Sequence, residues 1–175
     1  MGKDTKQPIA VPERLPPEIE QCFPNINAGS GYRVTSPKDP LYNCVAFAVD
    51  ESIQHAPPDQ KKKWDGGMMP CPGYAWPEGA PRGGGIEALK ETFLLLGYEL
   101  VTIDRFSLED GYEKVALYVD HFGNWSHAAK QASNGEWMSK INTFQDIRHE
   151  NPDCFTGPDG YQVQYVMRKR KSTQS

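Results

Sequence analysis

Apolar residues recur at helical spacing in two stretches of the chain and alternate with polar or small residues in several others. From Asn43 to about His55, Val45, Ala48, Val49 and Ser52 fall on one stripe, and Cys44, Phe47, Ala48 and Glu51 on the stripe beside it. That spacing predicts a helix, which Pro57-Pro58 ends. From Ile86 to Leu96, Ile86, Leu89, Phe93 and Leu96 share a second helical face, and Gly97 is suited to the position after the helix end. Tyr98 to Ile103 reads as a strand. In Glu113 to Asp120, Val115, Leu117 and Val119 alternate with Ala116 and Tyr118, a further strand. Trp125 to Gln131 and Glu136 to Ile141 form a hairpin about Asn134-Gly135, and Tyr161 to Met167 is the last strand. Thr143 is expected to cap a short helix running to His149. Helices come first and an antiparallel meander follows. The fold class is α+β, with the N-terminal helices packed on one side of the sheet.

Between these elements the pattern breaks down. Residues 1 to about 39 hold Pro8, Pro12, Pro16, Pro17, Pro24 and Pro37, and read as an irregular arm laid over the domain, disordered at its very start, with one short turn at Glu18 to Cys22. Residues 40–168 are the domain, and residues 169–175 a disordered basic tail beginning near Arg168-Lys169-Arg170-Lys171. Residues 56–84 are a long loop in which Trp64, Tyr74 and Trp76 act as anchors to the body. Arg82-Gly83-Gly84-Gly85 reads as a hinge rather than a phosphate cradle, since no strand precedes it.

Composition narrows the function. At 175 residues and a net charge of −4, the chain is expected to be one domain with no general pull toward nucleic acid or an anionic membrane. No apolar run approaches the ~20 residues of a membrane span. Met1-Gly2-Lys3-Asp4-Thr5 opens no signal peptide, so the expected location is cytoplasmic, or outside by another export route. Cys22, Cys44, Cys71 and Cys154 follow no zinc spacing, and in a reducing compartment they are free thiols. Neither metal nor cofactor is expected, and His121 and His149 are expected at the surface.

The candidate chemistry starts at Pro40-Leu41-Tyr42-Asn43-Cys44. Asn43 is a good cap, which puts Cys44 in the first helical turn, where free N–H groups and the helix dipole favour a thiolate. A catalytic Cys44 is expected to react with iodoacetamide below pH 7, ahead of the other cysteines. His127, early in a strand rich in small residues, is the expected base, forming a Cys–His dyad if the helix start packs across the sheet. A two-residue Asn134-Gly135 loop sets His127 opposite Asn142; a three-residue loop or a bulge puts Ser139 on that face instead. Asp146 is a third candidate to orient the ring. The bland alternative is that Cys44 is a buried small hydrophobe and His127 a structural histidine.

A cysteine opening a helix, a histidine opening a strand and a polar residue on the next strand resemble the papain-like cysteine hydrolase fold, and within it the bacterial NlpC-type and CHAP-type amidases. The segments Asn43-Cys44-Val45-Ala46-Phe47-Ala48, Glu113-Lys114-Val115-Ala116-Leu117-Tyr118, His127-Ala128-Ala129-Lys130-Gln131 and Trp137-Met138-Ser139-Lys140 are more specifically similar to a bacterial family of unassigned function. The resemblance covers roughly residues 40–150. It implies a papain-like fold, Cys44 as nucleophile and His127 as base, with Ser139 and Lys140 at matching positions. The expected substrate is a peptide or protein amide, and a partner or immunity protein is the other expected binder. The alternative function is a non-catalytic binding module on the same fold.

Overall fold

The computed structural model describes residues 10–27, 31–64 and 74–172. Its centre is a seven-stranded antiparallel sheet built from β1 (Tyr32–Val34), β4 (Glu99–Val101), β5 (Tyr112–Val119), β6 (Trp125–Gln131), β7 (Trp137–Lys140), β8 (Asp146–His149) and β9 (Gln162–Arg170). The strand order is β1-β8-β7-β6-β5-β9-β4. A separate parallel pair, β2 (Lys63–Trp64) and β3 (Tyr74–Ala75), lies within the long loop. The α+β class with an antiparallel sheet follows directly from this layout.

The alternation along β5 is the reason the sheet has two buried faces. Val115, Leu117 and Val119 pack with α2 (Cys44–Val49) and α3 (Ile86–Leu95), while Ala116 and Tyr118 face Leu15, Phe23, Ile26 and Phe155 on the other side. The helices α2 and α3 thus share one face of the sheet, as expected, and the other face is covered as well. The proline-rich arm supplies the second cover. Its α1 (Pro17–Cys22) is the short turn expected there, and β1 adds an edge strand to β8. The arm is thus laid over the domain, with Leu15, Phe23 and Ile26 packed into its core. At the other end β9 carries the chain in strand to Arg170, and Arg168 is paired with Glu99 and Glu109, so the basic tail begins later than expected.

Three local differences shape the site. First, the helix from Asn43 is shorter than its periodicity suggests. It stops at Val49, Asp50 turns extended, and the Asp50 carboxylate accepts from Ser52 N–H to start a 3₁₀ turn over Glu51–His55. An aspartate that caps a new turn competes with continuing the old one. Second, the β6–β7 hairpin has three loop residues. Ala132 N–H donates to Glu136 O, Gly135 N–H donates to Ala132 O, and Gly135 takes φ 92°, a left-handed position that glycine fills without strain. Third, Thr143 caps no helix. Ile141–Phe144 is a tight turn with Asn142 at φ 48°, and the chain returns as β8, paired to β7 on one side and β1 on the other.

Candidate functional site

Cys44 opens α2, and Asn43 caps it by accepting from Ala46 N–H at 3.2 Å. The same Asn43 oxygen accepts from Trp64 N–H at 3.2 Å, while its amide donates to Trp64 O at 2.8 Å. One side chain thereby fixes the helix start and ties β2 to it. The Cys44 sulfur faces the backbone N–H groups of Ala128, Val45 and Cys44 itself. Ala128 lies just outside the β6–β7 ladder, which is paired from Ala129↔Ser139 onward. The sulfur therefore approaches β6 where β7 has diverged from it, next to His127.

His127 itself points the other way. It pairs with Tyr118, and its ring packs on Tyr118 (5.0 Å), Phe155 (4.7 Å) and Tyr161 (6.4 Å). Its neighbour Ala128 pairs with Leu117 and faces α2. The period of two along a strand sends consecutive side chains to opposite faces. The expected direct meeting of sulfur and imidazole is thus not found: the partner of the His127 ring is Ser139, Nε2 to Oγ at 2.9 Å.

The three-residue hairpin decides that partner. Its register is Ala129↔Ser139, so Ser139 shares the face of His127, one diagonal step away. Asn142, expected opposite His127 for a two-residue loop, sits in the following turn instead. It borders a cleft of only about 10 Å³ with Ser126, His127, Ile141, Phe155 and Tyr161. That volume suits at most one water. Asp146 faces the α2 side, where its Oδ2 accepts from Tyr42 O–H at 2.5 Å, so it does not orient His127. Tyr42, Asp146 and Lys140 form their own buried cluster, with Lys140 Nζ 4.0 Å from Asp146 Oδ1 and 4.7 Å above the Tyr42 ring.

The unforeseen member is His149. Expected at the surface, it is 1% exposed. Its Nε2 is 2.7 Å from Ser139 Oγ and its Nδ1 is 3.0 Å from Asn151 O, with Cys154 Sγ at 3.6 Å. Two imidazoles therefore share one hydroxyl beneath Phe155. The only sequence signal was position, since His149 follows Ile147 by two and so shares its inward face.

Burial governs the protonation of the site. It pushes the Cys44 thiol up to about 11, outweighing the N–H groups of Ala128, Val45 and Cys44 and the charge of Lys140. It takes His127 down to about 3, helped by the neighbouring His149, and His149 down to about 4. The thiolate expected from the helix start does not prevail, because α2 has six residues and its first turn is buried. At pH 7 iodoacetamide is therefore expected to label exposed Cys22 well ahead of buried Cys44 and Cys154, read by peptide mapping after a timed quench. Cys71 lies outside the described residues. Labelling of Cys44 first would contradict its burial. Among the described residues no cluster of His, Cys, Asp or Glu is arranged to hold a metal, and no helix is long and apolar enough to cross a membrane.

A family model described as "Domain of unknown function (DUF7689)" matches residues 33–168, a span from β1 into β9 that includes Cys44, His127, Ser139 and His149. No curated protein and no solved structure matches the chain.

Proposed function

We propose that this chain, which belongs to the family described as a domain of unknown function (DUF7689), is a papain-like thiol hydrolase of amide bonds held in a closed resting state. The observation that carries the reading is the packing of Cys44, at the start of α2, against β6 at Ala128. It brings the nucleophile to the residue beside His127, whose Nε2 is already held by Ser139. The other ring nitrogen, Nδ1, is then the one left to take the thiol proton once a local opening brings the two groups together.

In the reaction, Cys44 Sγ attacks the carbonyl carbon as its proton passes to His127 Nδ1. The carbonyl oxygen takes the negative charge, and the backbone N–H groups around the sulfur are the available donors for it. The imidazolium then returns the proton to the leaving nitrogen, leaving a thioester on Cys44. Water, deprotonated by the same ring, releases the acid. A peptide bond, an isopeptide or a side-chain amide fits these steps, the last by loss of ammonia.

The resting protonation sets the cost. With the thiol near 11 and the imidazolium near 3, making the ion pair is uphill by on the order of 10 kcal/mol. The neutral pair therefore predominates until substrate or a local opening admits water. Acylation is tested with peptide nitrophenyl esters: released nitrophenol and a hydroxylamine-sensitive mass increment mapping to Cys44 are expected, both lost in Cys44→Ala. Turnover that survives Cys44→Ala would overturn the reading. The burial of both groups also favours a second one, a binding module with a vestigial pair, for which no increment on Cys44 forms with any ester.

A further inference from the structure

We infer that His149, acting through Ser139, sets which nitrogen of His127 is bare, and is therefore a positioning residue for the base. The inference rests on the hydrolase reading for its purpose, but its chemistry follows from hydrogen-bond bookkeeping alone. A backbone carbonyl can only accept. At 3.0 Å from Asn151 O, the Nδ1 of His149 must carry a hydrogen, since a bare nitrogen there would set two lone pairs against each other. The second acceptor within reach, Cys154 Sγ at 3.6 Å, lies beside the same N–H.

A neutral imidazole with Nδ1–H has a bare Nε2, which needs a donor. The group 2.7 Å away is Ser139 Oγ, so the hydroxyl donates its one hydrogen to His149. Ser139 then has only lone pairs to offer His127. The 2.9 Å contact requires that His127 Nε2 donate to it. His127 is thereby fixed as the Nε2–H tautomer with Nδ1 bare. The depressed proton affinities of both rings keep the chain neutral at pH 7 and so keep this direction.

The fold places the three groups for this purpose on one diagonal. Ser139 pairs with Ala129 on β6 and Ile147 on β8; His127 and His149 each lie two residues along those strands, on the same face. Phe155 packs on both rings, at 4.7 and 5.1 Å, and Tyr118 O–H donates to Pro152 O at 2.7 Å, pinning the turn that carries Phe155. The Asn151 carbonyl, on the same turn, is the fixed end from which the direction is read. When the thiol proton arrives at Nδ1, the His127 imidazolium keeps its Nε2–H bond to Ser139, so no partner has to turn.

Long-range ¹H–¹⁵N spectra of the histidine rings at pH 7 test this without any turnover. The full chain is expected to show His127 protonated at Nε2 and bare at Nδ1, and His149 the reverse. His149→Leu or Ser139→Ala is expected to convert His127 to a mixture of tautomers, and Ser139→Thr, which keeps the hydroxyl, to restore the single one. His127 protonated at Nδ1 in the unaltered chain would overturn the inference, whatever the variants do. Cys44→Ala separates the two ideas: it removes the nucleophile and should leave the tautomers unchanged. A correct tautomer pattern with no adduct on Cys44 would thus refute the hydrolase and leave the ordering of the rings intact.

Discussion

Lowering the pH from 7 to 4 is expected to destabilise the fold by several kcal/mol. His127 and His149 sit near 3 and 4 in the folded protein, both below the ordinary 6.5 because of burial. Above pH 6.5 both are neutral whether the chain is folded or not, and stability is at its plateau. As the pH falls below 6.5 the unfolded chain takes up two protons that the folded chain refuses. Each costs ~1.4 kcal/mol per pH unit until its folded value is reached. Raised Asp146 opposes this at the acid end, because the folded chain holds that proton more readily. Urea midpoints at pH 7.5 and 4.5 measure the effect. The midpoint should drop steeply in the unaltered protein, and the drop should shrink in His127→Gln and His149→Gln. A midpoint that hardly moves would mean that the rings charge freely in the folded state.

The second large effect concerns the opposite face. Asp146→Ala is expected to cost about 3–5 kcal/mol, the usual loss when one partner of a buried ion pair is removed. Lys140 and Asp146 are both 0% exposed, and Asp146 accepts the Tyr42 hydroxyl while facing the Lys140 ammonium. Burial already lowers Lys140 to about 8. Without the carboxylate the ammonium keeps Phe144 O, the Tyr42 ring and the more distant charge of Asp39. The double variant Asp146→Ala/Lys140→Met is expected to recover most of the loss, since an apolar replacement of the whole pair leaves no stranded charge. Urea unfolding at pH 7 decides it. A double variant as unstable as the sum of the two single ones would show that the charges do not depend on each other.

The strands with regular alternation were legible because each faces a core that rewards it. Val115, Leu117 and Val119 meet α2 and α3, and Ala116 and Tyr118 meet the arm. β8 carries no strand signal, because Asp146-Ile147-Arg148-His149 has one apolar residue and Thr143 before it suits a helix cap. Its inward polar groups are satisfied by residues remote in sequence, Tyr42 for Asp146 and Ser139 for His149, and no local pattern reports that. The anchors of the arm have no such pattern either: Leu15, Phe23 and Ile26 hold it at spacings that match neither strand nor helix. The hairpin register was ambiguous because Asn134-Gly135 serves two loop lengths, both of which place glycine at positive φ. Cys44 and its cap were found from the cap's chemistry. The protonation of the thiol was not, because desolvation depends on what covers the helix start.

One comparison bears most directly on whether the Cys44 thiol answers to the His127 ring: the iodoacetamide rate at Cys44 and at Cys22, at pH 7, in the unaltered chain and in His127→Gln. A fall of at least ~10-fold at Cys44 with no change at Cys22 is the expected result, in the range a positioned general base supplies. A Cys44 rate that is unchanged or faster without the imidazole would contradict a working pair.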